Sequence, residues 1–221
     1  MTEIMAKILP LENGDRLTRV EFERRYETMP NLKKAELIEG VVYMGSPVRV
    51  IHGQPHAHIM GCLFCYQVAT PGVGLFDNTT VRLDADNEPQ PDALLRIENG
   101  GQTIISEDGY LEGAPEFIAE IAASSASYDL RDKLRAYRRN QVQEYLVWQV
   151  NEQKIDWFRL REGEYIVLPT DATGTIKSEV FPGLGLAVTA LIAGNLVEVQ
   201  SVLQMGLATS EHQSFVEQLR G

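Results

Sequence analysis

The sequence predicts an α+β (mixed α/β) fold, a central mixed β-sheet flanked by helices, and three observations predict it. A helix-like run from about His56 to Thr70 leads into three strand-like runs at 75–84, 91–97 and 116–123. The segment DLRDKLRAYRRN at 129–140 carries a helical apolar stripe, and EYLVWQV at 144–150 reads as a buried strand. Strands that begin antiparallel and are then joined by a helical crossover form a mixed sheet with helices packed on it.

Each element has its local signal. Thr18-x-x-Glu21 before EFERRY is a capping-box pattern and starts an N-terminal helix. AELIEGVVYM at 35–44 reads as a strand pair or one bent strand, with Gly40 at the turn or bulge. GSPVRVIHGQP reads as a loop by its Gly and Pro content, so the next helix is expected to begin at His56 and to close at Pro71 and Gly72. EFIAEIAA is an interior strand with one polar interruption. KIDWFRL and EYIVLP form a hairpin around Glu162 and Gly163, and 189–219 reads as C-terminal helices.

The 221 residues suit one domain with a full core, alone or with small extensions. No apolar run is long enough to span a membrane, and no secretory leader is read, so a cytoplasmic location is expected. The two cysteines, Cys62 and Cys65, stand one helical turn apart in a helix-like segment. No second C-x-x-C completes four zinc ligands, which makes them small core residues. The net charge of −11 repels nucleic acid on average, so the distribution of charge decides more than its sum.

Two carboxylates fall inside apolar strand-like runs: Asp92 in EPQPDALL and Glu120 in PEFIAEIAA. An unpaired carboxylate there costs several kcal/mol, roughly, so each must be compensated. A nearby Arg or Lys would serve. So would Mg²⁺, which takes one or two carboxylates together with phosphate and water. On a helical wheel Leu130, Leu134 and Tyr137 form the core stripe, Lys133 stands at one margin, and Arg131, Arg135 and Arg138 lie on the other side. Lys133 thus either leans over the sheet toward Glu120 or snorkels. The five basic residues between Arg131 and Arg139 form a local basic patch in an acidic chain, a solvated face or a phosphate-binding one.

The succession AELIEG, SP, PHAHI, DNTTVRLD, QPDALL, AEIAASSASYDLRDKLRAY and QEYLVWQV, from about Thr18 to Val188, resembles the Uma-type restriction endonuclease family of bacteria, within the PD-(D/E)xK nuclease superfamily. The resemblance implies a restriction-endonuclease-like domain over 1–188, with an N-terminal helix/strand extension, and a C-terminal helical extension over 189–221. It implies that Asp92 and Glu120 are the motif acids, that Glu36 is an upstream acidic member with Glu39 as a neighbour, and that His56 and Asn78 line the same cleft. Two departures stand out. Ala122 occupies the position of the superfamily lysine, a role that passes to Lys133, and an Ala-Ser-Ser run at 123–125 replaces the family's S-P-S.

The expected chemistry is phosphodiester hydrolysis of DNA. Asp92, Glu120 and the carbonyl of Ile121 would hold Mg²⁺ or Mn²⁺, and Lys133 would orient the attacking water. Arg131, Arg135 and Arg138 would position the backbone. The charge and the displaced lysine favour a catalytically silent binding or assembly module, and the acidic surface suits a hydrolase of a small phosphorylated molecule. A homodimer is the expected assembly for cutting two strands.

Overall fold

The computed structural model describes residues 8–45, 47–123 and 128–221. Its centre is a six-stranded sheet in the order β11-β10-β9-β8-β5-β3. The strands are β3 (Val73–Asp77), β5 (Ala93–Ile97), β8 (Phe117–Ala122), β9 (Glu144–Gln149), β10 (Lys154–Arg161) and β11 (Glu164–Val167). β8 and β9 are parallel and the other neighbours antiparallel, so the sheet is mixed as expected. The parallel pair needs a crossover, and the helical segment after β8 supplies it. That segment opens with a π-helical turn at Asp129–Lys133 and continues as α3 (Leu134–Arg139).

Residue parity sorts the sheet into two cores. Ala93, Leu95, Phe117, Ala119, Ile121, Leu146 and Trp148 point to one face, against Ile59, Leu63 and Tyr66 of helix α2 (Val50–Ala69). Leu94, Ile118, Ala122, Tyr145 and Val147 point to the other, against Tyr137 of α3. An interior strand with apolar residues at both parities is buried on both faces. The first core also takes in Leu191 of α4 (Val188–Ile192) and Val199 and Leu203 of α5 (Leu196–Leu207), and α6 (Ser210–Arg220) follows. Glu144 ties the sheet to the chain beyond it. Fully buried on β9, it accepts from Trp157 Nε1 (3.1 Å), Ser178 Oγ (2.7 Å) and the backbone N–H groups of Glu179 (2.7 Å) and Val180 (3.1 Å).

A third, smaller core joins α1 (Arg19–Tyr26), through Phe22, to a hairpin of β1 (Ala35–Ile38) and β2 (Val41–Met44). Its turn is Glu39-Gly40, both at positive φ (52° and 72°), the two-residue turn whose twist suits a hairpin. Leu37 and Glu88 exchange backbone hydrogen bonds (3.1 and 2.7 Å), which docks the hairpin beside the segment leading into β5.

Four expectations are corrected. Thr18 caps α1 by backbone position only, because Glu21 is spent on Arg24 and Arg25 (2.7 Å each) instead of closing a capping box. Helix α2 begins at Val50, not His56. Pro55 has a helix-compatible φ and buries its ring, while Ile51, whose carbonyl loses its bond to the missing N–H, is exposed near the helix start. The run 75–84 is not one strand. Asn78 turns the chain at φ 47°, and β4 (Val81–Arg82) joins a separate small sheet with β6 (Ile104–Ile105) and β7 (Leu111–Glu112). Lys133 is not marginal but buried, because the π turn changes the angular step on which the wheel relied. The short strands β6, β7, β12 (Thr175–Lys177) and β13 (Gly185–Ala187) had no periodic signal. Cys62 and Cys65 lie half-buried on α2 against the first core, and burial pushes the Cys62 thiol up to about 11.

Helix α5 crosses the 183 loop where two glycines meet. A Cβ on Gly206 would stand 2.2 Å from the Gly183 carbonyl oxygen. Gly206→Ala is therefore expected to destabilise the fold by about 1–3 kcal/mol, read as a lower urea midpoint, whereas the exposed Val197→Ala should change it little.

Candidate active site

The β5–β8 ladder brings the two acids together. Ala93 pairs with Ala119, so one step along the register sets Asp92 opposite Glu120 on the face covered by α3. Lys133 Nζ lies 2.8 Å from Glu120 Oε1, 2.9 Å from Glu36 Oε1 and 3.9 Å from Asp129 Oδ1, and Lys133 is only 2% exposed. Tyr137 donates to the same Glu120 oxygen at 2.9 Å. Glu36 arrives from β1, and its Oε1 also accepts the Gln90 N–H at 2.8 Å. The Tyr128 ring lies 5.5 Å from Lys133 Nζ and 4.1 Å from the Tyr43 ring, centroid to centroid.

Asp92 is held from several sides. Its Oδ2 accepts from the Ile121 N–H (2.8 Å) and from His52 Nε2 (3.1 Å), while its Oδ1 faces Lys34 Nζ at 3.8 Å. His56 Nε2 donates to the Asp92 carbonyl (2.9 Å) and lies 3.0 Å from Asp77 Oδ1. The Asn78 N–H points to the same carbonyl (3.4 Å), and Asn78 Oδ1 faces Lys34 Nζ at 3.4 Å.

Charge is uneven in this space. Burial pushes the Asp92 carboxyl up, but the His52 hydrogen bond, the Lys34 charge and the Ile121 N–H outweigh it and hold the group at about 2. Burial raises Glu120, Lys133 opposes the rise, and the neighbouring Asp92, Asp129 and Glu36 add to it. Burial works against the Lys133 ammonium, yet Glu120, Glu36 and Asp129 hold its pKa well above the usual lysine range. The cluster is short of positive charge, and a buried carboxyl in that position either keeps a proton or takes a cation.

Asp92, Glu120, Lys133, Glu36 and Ile121 thus converge, with His56 and Asn78 beside them. The arginines do not join them. Arg135 pairs with Asp132, Arg138 with Glu164 of β11, and Arg131 is exposed. Glu39 sits at the hairpin turn and pairs with Arg139 at 3.0 Å. Ser124 and Ser125 lie outside the described residues. His52, Lys34, Tyr128 and Asp129 were not anticipated. His52 stands four residues before His56, a signal readable only once α2 is known to start at Val50.

Among the described residues no group of three His, Cys, Asp or Glu side chains stands in metal-holding geometry. The donor chemistry still suits a hard cation. Asp92 Oδ1 and Glu120 Oε2 accept no hydrogen bond among the described residues, and oxygen donors in a negative cluster are what Mg²⁺ or Mn²⁺ takes.

Two expected outcomes follow from these charges. Lys133→Met leaves buried acids without their counter-ion and should cost about 3–5 kcal/mol in urea unfolding near neutral pH, with a smaller loss in mild acid where carboxyls take up protons. Asp92 is depressed from 3.8 to about 2, so it contributes about 2 kcal/mol that is fully present above its unfolded value and is lost as pH falls through its folded one. The stability difference between wild type and Asp92→Asn should shrink across that interval in acid-unfolding titrations.

Comparison with known proteins agrees with this architecture. The solved structure of "a putative nuclease belonging to DUF820 from Anabaena variabilis ATCC 29413" superposes with a TM-score of 0.61 at 16% identity, covering 77% of this chain and 96% of that one. At that identity the likeness establishes the fold. No curated protein matches the sequence. The profile of the Uma2 family, described as "Putative restriction endonuclease", matches residues 19–189, a span that includes every member of the acidic cluster. The chain belongs to the Uma2 family and has its nuclease-like fold.

Proposed function

We propose that the chain is a metal-dependent endonuclease, a phosphodiester hydrolase acting on DNA. The observation that carries the reading is the convergence of Asp92, Glu120, Lys133 and Glu36 at one point of the sheet, with one oxygen on each motif acid that accepts no hydrogen bond among the described residues.

A bound Mg²⁺ or Mn²⁺ supplies Lewis-acid polarisation of the phosphate and a more acidic water. Asp92 Oδ1, Glu120 Oε2 and the Ile121 carbonyl are the donors that would hold it. The Ile121 N–H is bonded to Asp92, and in an extended strand the N–H and C=O of one residue leave the same edge, so this carbonyl faces the Asp92 side. Lys133 and Tyr137 hold Glu120 by Oε1 and leave Oε2 without a hydrogen bond among the described residues. His52 and the Ile121 N–H do the same for Asp92 through Oδ2. Arg131 is exposed and can meet the nucleic-acid backbone, whereas Arg135 and Arg138 must first exchange a carboxylate for a phosphate. One chain carries one such site, so cutting both strands calls for a second copy as partner.

A catalytically silent binding module is the second reading, favoured by the lack of a ready three-donor metal group among the described residues. Plasmid assays separate the two. The expected result is nicking that requires Mg²⁺ or Mn²⁺, stops in EDTA and falls by about 100-fold or more in Asp92→Asn and Glu120→Gln. A wild type inert toward all nucleic acids, with no heat of Mn²⁺ binding, would sink the enzyme reading.

A further inference from the structure

Two lysines border the acidic cluster, and their donor inventories differ. An ammonium has three N–H donors. Lys133 donates to Glu120 at 2.8 Å and is ion-paired with Glu36 at 2.9 Å and Asp129 at 3.9 Å, in a space closed to solvent. Freeing that ammonium for a substrate would strand buried carboxylates, a loss of several kcal/mol, roughly. Lys34 is in the opposite position. Its side chain is 27% exposed, and its only polar contacts among the described residues are loose, 3.4 Å to Asn78 Oδ1 and 3.8 Å to Asp92 Oδ1. It stands beside Oδ1 of Asp92, the oxygen that accepts no hydrogen bond among the described residues.

Its aim is also built in. The Lys34 carbonyl accepts the Gly45 N–H at 2.9 Å, and the Lys34 stem runs so close to Gly45 that a Cβ there would lie 3.0 Å from Lys34 Cβ and 3.3 Å from Cγ. A side chain at position 45 would push the stem away from its path.

Resting on the nuclease reading above, we propose that Lys34, not Lys133, is the lysine that touches substrate. Its ammonium donates a hydrogen bond to a non-bridging oxygen of the scissile phosphate and offsets the charge that grows there, without giving or taking a proton. Lys133 is a positioning residue that acts through Glu120.

The test compares Lys34→Met, Lys34→Arg and Gly45→Ala with wild type. Steady-state cleavage should show kcat down about 100-fold or more in Lys34→Met, partial recovery in Lys34→Arg, and a smaller loss in Gly45→Ala. Melting temperature and calorimetric Mn²⁺ affinity should stay near wild type, which a merely structural lysine would not allow. Binding of a short fluorescein-labelled duplex in EDTA gives a readout without turnover. Removing one phosphate contact should lower the slope of log K against log salt by about 0.9. A Lys34→Met enzyme that cleaves at close to the wild-type rate overturns the assignment and leaves the nuclease reading standing. So does one whose only defect is weaker Mn²⁺ binding. A wild type that binds the duplex but never cleaves overturns the nuclease reading, and an unchanged salt slope in Lys34→Met then overturns the phosphate contact as well.

Discussion

Lys133 ties three parts of the chain together at one buried point. Its ammonium bonds Glu120 on the central strand β8 and Glu36 on the N-terminal hairpin, and its backbone lies in the π turn that opens the crossover helix. Each partner is costly alone. A buried lysine with no acid and a buried acid with no lysine each forfeit several kcal/mol, in rough terms, so the contact favours the three elements docked together. The hairpin, which the sheet itself does not need, is held in place by this charge and by its backbone exchange with Glu88. The site therefore owes its geometry less to loops than to a cross-link between rigid elements.

The rest of the architecture separates support from chemistry. The sheet face toward α2 carries the larger apolar core and takes in the C-terminal helices, while the face toward α3 has the two acids at its rim. Glu144, one register step from the apolar interior, performs on β9 a purely mechanical task, with four donors satisfying one buried carboxylate. Glu120 differs in having an oxygen that no donor among the described residues claims. A saturated carboxylate is a brace, and a half-saturated one is available for chemistry.

Much of this was readable from the residues. The strand–helix–strand order needs only apolar runs and their periods, and neighbouring strands at 91–97 and 116–123 allow Asp92 and Glu120 to meet, while the register that sets them opposite comes from the structure. Family resemblance added Glu36, whose role is invisible locally because its partner is far along the chain. What stayed hidden had physical causes. Pro55 reads as a helix breaker but sits near the start of α2, where the lost bond is cheap, so the turn carrying His52 reads as loop in the sequence. The π turn upset a wheel drawn at α-helical spacing and concealed how deeply Lys133 is buried. Arg135 and Arg138 looked like a basic face because sequence alone does not show the acids that neutralise them. Lys34 carried no signal, since a lysine before a strand is usually a solvated one.

The wide spacing of the cluster along the chain bears on how the protein folds. The Lys133–Glu120 contact closes only thirteen residues, but Gln90 and Glu36 are fifty-four apart, and Lys133 must find Glu36 from farther still. Loops of that length close late relative to local helix and hairpin formation. The central strands and crossover helix can condense first, with Glu120 protonated or paired to Lys133 alone. The arrival of the hairpin then delivers Glu36 and Lys34 in one step. A chain emerging from synthesis would hold an inert half-site until its first and middle thirds have docked, so the order of folding itself delays the onset of any reactivity.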